Sequence, residues 1–114
     1  MLTLEEFQSL LKQHLGAEIV CCELERKSYP RTPDTRPDAS WRDHLLETFS
    51  ARLRGAEQQK KDATFITELR SFVSTLQILD RTDDLYSWQA RTAEGLFGGW
   101  ATEDRIIYMT KANS

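Results

Sequence analysis

Apolar positions along the chain follow first a helical rhythm and later a strand-like one. Leu4, Phe7, Leu11 and Leu15 recur on one stripe with Leu10 beside it, which predicts a helix over residues 4–15. Thr3 and Glu6 have the spacing of a capping box at its start, and Gly16 supplies its stop. Residues 17–24 change character. Ile19, Val20, Cys21 and Cys22 form a short apolar run, which predicts a strand whose neighbouring cysteines point to opposite sides of a sheet.

Between Ser28 and Ser40 stand Pro30, Pro33 and Pro37, with no aliphatic side chain larger than Ala39. Proline removes a backbone donor and fixes φ, so the stretch reads as a surface loop. Ser40 and Asp43 then mark the start of a second helix carrying Trp41, Leu45, Phe49 and Leu53 on one stripe. Gly55 either ends or weakens it. Asp62 caps a third segment, where Phe65, Ile66, Leu69, Phe72, Val73, Leu76 and Leu79 make the strongest amphipathic pattern in the chain. A single helix over 41–79 is the competing reading, with its stripe interrupted over 54–62.

After Asp84 the period shortens to two. Residues 85–90 place Tyr86, Trp88 and Ala90 on one face of a strand, 96–101 form a second strand after a turn at 93–95, and 106–109 a third. The implied fold is α+β, a two-layer domain of order α-β-α-α-β-β-β. Its four-stranded, mostly antiparallel sheet has helices packed on one face. At 114 residues the chain is expected to be a single domain, 1–114.

Composition narrows the classes of activity. Three Trp, three Tyr and five Phe are too many for a wholly disordered chain. The net charge of −3 gives no general pull toward nucleic acid or an anionic membrane. That total averages unlike segments: residues 1–24 carry −3 and 80–114 carry −2, while 25–40 and 41–79 carry +1 each. No apolar run reaches the roughly 18–20 residues that cross a bilayer, and no signal-peptide pattern opens the chain, so membrane association is not expected. The only cysteines are neighbours, too strained for a structural disulfide, and a reduced, cytoplasmic setting is expected.

Candidate chemistry is sparse. Gly95-Leu96-Phe97-Gly98-Gly99-Trp100 lacks the Gly-Lys-Ser/Thr of a phosphate loop and reads as a glycine-permitted turn or bulge; Gly98-Gly99 alone also suits a two-residue hairpin turn. Cys21 and Cys22 diverge on a strand, and with only His14 and His44 as further soft ligands they make no metal site. The Glu25-Arg26-Lys27 run has the carboxylate–lysine half of a metal-dependent nuclease site without the preceding acid. Asp80, Asp83 and Asp84 lack the glycine and closing glutamate of a calcium loop. No catalytic residue, metal or cofactor is therefore assigned.

Two features remain. Arg26, Lys27, Arg31 and Arg36 with Tyr29 concentrate basic and aromatic groups on and before the proline-rich loop. Trp88, Trp100 and Tyr108 sit in the meander, on a sheet expected to have one face uncovered. Together they point to protein binding, with another protein or a second copy of the chain as partner. Two other readings compete. One is a small-ligand protein or enzyme with a pocket lined by Trp41, Trp88 and Tyr108. The other is a nucleic-acid contact through the basic loop and Arg52, Arg54, Lys60 and Lys61.

Overall fold

The computed structural model describes residues 1–27, 41–80 and 83–112. Three helices and a four-stranded antiparallel sheet follow the order α-β-α-α-β-β-β: α1 (Leu4–Leu15), β1 (Cys21–Lys27), α2 (Trp41–Gln58), α3 (Ala63–Ile78), β2 (Leu85–Thr92), β3 (Gly95–Ala101) and β4 (Ile106–Lys111). The strands lie in the sheet in that same order, β1-β2-β3-β4. The proline-rich segment 28–40, including Ser40 as a helix cap, lies outside the described residues. The chain divides into two compact units, one made of 1–27 with 84–114 and one of 28–83.

The first unit is α1 on the sheet. Thr3 accepts from the Glu6 amide at 3.1 Å while Glu6 accepts from the Thr3 amide at 3.2 Å, so the capping box closes. Gly16 stops the helix at φ 65°. Phe7 and Leu11 are fully buried against Tyr86, Trp88, Ala90, Phe97 and Ala101, with Leu24, Cys22, Ile106 and Met109 at the margins. The Phe7 and Trp88 rings stand 5.6 Å apart. The Tyr86 hydroxyl, itself buried, accepts from the Leu2 amide at 3.1 Å and ties the segment before α1 to the sheet.

β1 departs from its expected range. It begins at Cys21 and runs on through Glu23-Leu24-Glu25-Arg26-Lys27. Among the described residues only one side of this edge strand is paired, so ladder bonds to β2, not side-chain apolarity, carry it through the charged residues. In β3, Gly98 and Gly99 belong to the strand and the turn precedes Gly95, whose φ is 134°. The tight-turn alternative for Gly98-Gly99 is thereby corrected. A register shift between Trp100 and Ala101 marks a bulge against β4.

The second unit pairs α2 with α3 as two separate helices. Phe49 meets Phe72 edge-on at 4.7 Å, and Leu45, Leu69, Phe72, Val73 and Leu76 are buried. Gly55 does not end α2. The chain turns instead at Lys60, at φ 54°, before Asp62 caps α3 by accepting from the Thr64 and Phe65 amides. α3 has no basic residue in its last turn. Arg42 of α2 supplies the cation: its guanidinium donates to the carbonyls of Leu76 and Leu79 at 3.0 Å each and of Gln77 at 3.2 Å, and it pairs with Asp43.

A candidate interaction face on the sheet

Strand alternation sorts the sheet's side chains into two faces. Cys22, Leu24, Tyr86, Trp88, Ala90, Phe97 and Met109 face α1. The other face carries Cys21, Glu23, Glu25 and Lys27 of β1, Ser87, Gln89 and Arg91 of β2, Leu96 and Trp100 of β3, and Tyr108 and Thr110 of β4. Trp100 and Tyr108 stand directly opposite each other across the last ladder. Both are half-buried, and each also takes part in interactions within the chain. Burial on this face is graded: Leu85 is fully buried, Ser87 half-buried, and Gln89 and Arg91 exposed.

Gly99 is what permits the close approach of β3 and β4 here. A Cβ built on it would lie 1.9 Å from the Tyr108 carbonyl oxygen and 3.0 Å from Met109 Cα, so only glycine fits. Its backbone sets the spacing at which the Trp100–Tyr108 pair is presented.

The structure separates the residues that the sequence grouped. Trp88 is 3% exposed and lies under α1, where it serves the core and offers no surface. Its indole N–H has no hydrogen-bond partner among the described residues. Trp88 and Tyr108 point to opposite faces, so they do not line one pocket as the ligand-binding reading required. Trp41 is on α2, in edge-on contact with His44 at 5.6 Å. Of the basic cluster, Arg26 pairs with Asp84 at 2.7 Å and donates to the Met1 sulfur at 3.3 Å, while Lys27 pairs with Glu25 at 2.8 Å. Asp84 also holds the Arg26 guanidinium above its ordinary pKa. Tyr29, Arg31 and Arg36 lie outside the described residues. In the second basic run, Arg52 stacks on the Phe49 ring at 4.7 Å.

The remaining candidates are accounted for locally. Cys21 is exposed and Cys22 half-buried, both as free thiols; burial pushes the Cys22 thiol up, against a hydrogen bond from Gln8 that lowers it. Asp83 closes a turn with Asp80, accepting from its amide at 2.9 Å. Among the described residues no group of three His, Cys, Asp or Glu is placed to hold a metal ion, and no helix is long and apolar enough to cross a membrane. No protein-family model, curated protein or solved structure significantly matches this chain.

Proposed function

We propose that the chain is a small protein-binding module, of the adaptor, inhibitor, immunity or regulatory-subunit kind. Its contact surface is the sheet face turned away from α1. The observation that carries this reading is the placement of Trp100 and Tyr108 side by side on that face, at the β4 edge, with both residues only half-buried. Paired aromatics with a polar border of Gln89, Arg91 and Thr110 have the make-up of an interface core and rim. Arg26 and Lys27 support it only indirectly, because their charges are already engaged by Asp84 and Glu25. A reduced, cytoplasmic location goes with the reading, on the ground of two adjacent free cysteines.

The test compares wild type with a Trp100→Ala/Tyr108→Ala variant in two assays. One is sedimentation velocity at rising concentration, and the other is affinity capture from the cells that make the protein. The expected result is an assembly, with itself or with a captured protein, that the variant loses while its circular dichroism stays native. A monomeric wild type that captures the same species as the variant overturns the proposal.

A further inference from the structure

On the α1 side of the sheet, beside the edge strand β1, lies a groove of about 420 Å³ lined by Met1, Leu4, Cys22, Leu24 and Arg26. Met1 and Leu4 are 77% and 47% exposed, unusual values for large apolar side chains at the rim of a folded unit. The strand along this groove has its outer edge unpaired among the described residues. The Ala112 amide bonds to the Leu96 carbonyl, and alternation from that bond across the three ladders turns the backbone groups of Cys22, Leu24 and Arg26 outward. The groove and the open hydrogen-bonding positions therefore coincide.

We infer that this edge accepts an extended segment of another protein by strand addition, and that the segment carries an apolar residue flanked on each side by a basic one. An apolar residue opposite Leu24 would point into the groove, while its two neighbours would fall opposite Glu23 and Glu25 on the other face. Both glutamates are exposed; Glu25 shares its charge with Lys27 on the same strand, while among the described residues Glu23 enters no ion pair and is the main attraction for a basic neighbour. A second copy of β1 does not fit. Every antiparallel register that pairs five or more residues of Cys21–Lys27 with their own copy, and sets the outward-bonding residues Cys22, Leu24 and Arg26 opposite one another, puts glutamate opposite glutamate. Like charges directly across a ladder are destabilising, and natural edges use them to block self-association. The same charges favour a basic partner.

Glu23 and Glu25 share a sheet face with Trp100 and Tyr108, but the site lies along β1 and that pair on β3 and β4, so its test can be separated from that of the function proposed above. The probe is a fluorescein-labelled heptapeptide, Ser-Thr-Lys-Val-Lys-Val-Thr, and its twin with both lysines changed to glutamate. By fluorescence anisotropy the lysine peptide is expected to bind at least about 10-fold more tightly, and Glu23→Lys/Glu25→Lys to invert that preference. The amides of Cys22, Leu24 and Arg26 should gain protection from hydrogen exchange on binding. Leu4→Asp, a substitution that the first turn of a helix accepts readily, should weaken the lysine peptide several-fold by spoiling the groove. The Trp100→Ala/Tyr108→Ala variant should bind the peptide as wild type does. Equal affinity for the two peptides, protection confined to other strands, or no saturable binding at millimolar peptide overturns the inference.

Discussion

Replacing Gly99 by alanine is the sharpest test of how the β3–β4 ladder is built. The added Cβ would meet Tyr108 at 1.9 Å from its carbonyl oxygen and 2.8 Å from its carbonyl carbon, and Met109 at 3.0 Å from its Cα. All three atoms are backbone, so no rotamer change relieves the clash. The strands must separate by more than about 1 Å, which weakens the ladder around the Trp100–Tyr108 pair. Losing one or two ladder bonds on top of residual overlap costs about 2–4 kcal/mol. In a unit of this size that lowers Tm by roughly 10–25 °C. Gly98, its immediate neighbour, is the control: a Cβ there meets the Trp88 carbonyl oxygen at 3.4 Å and Gln89 Cγ at 3.8 Å, both ordinary contacts. Gly98→Ala should stay within about 1 kcal/mol of wild type. Thermal and urea unfolding of both variants, with amide exchange across 95–111, makes the comparison. Equal stability of the two variants, or greater loss in Gly98→Ala, would refute the reasoning.

Three further outcomes are expected. Arg42→Met removes the guanidinium that caps α3 and should destabilise the α2–α3 unit by about 2–3 kcal/mol in urea, with the amides at 76–80 exchanging faster. Lys60→Gly places the residue that tolerates φ 54° where the chain needs it, and should raise stability by about 0.5–1 kcal/mol. Alkylation by iodoacetamide followed by peptide mass analysis should modify Cys21 before Cys22. Burial raises the Cys22 pKa, so its thiolate fraction at pH 8 is smaller than an ordinary thiol's, and the gap between the two rates should narrow as pH rises past 9.

The helices and the meander were legible because their apolar residues repeat at periods that a single face explains. Phe7 and Leu11 of the first stripe and Leu69-Phe72-Val73-Leu76 end up buried, while Leu4 at the start of α1 stays exposed, and Tyr86, Trp88 and Ala90 share a face as the alternation of β2 predicts. What period cannot report is which face a neighbour covers. Trp88 and Trp100 look alike in sequence, yet α1 lies over one and not the other. β1 runs past residue 24 to Lys27 because an edge strand needs only one ladder, which Glu23 to Lys27 supply through backbone atoms. The turn after α2 falls at Lys60 and not at Gly55, since Gly55 is tolerated in the helix while the approach to α3 demands the left-handed residue later. Arg42 gave no local signal at all: its partners at 76–79 lie more than 30 positions away.

The central claim is that partners meet the sheet on the face of Trp100 and Tyr108. Hydroxyl-radical footprinting of the isolated protein and of its captured or self-assembled complex tests it most directly. Protection of Trp100 and Tyr108, with the exposed residues Glu5, Gln8 and Lys12 of α1 unchanged, is the predicted result. Protection confined to α1, with Trp100 and Tyr108 oxidised equally in both states, would contradict it.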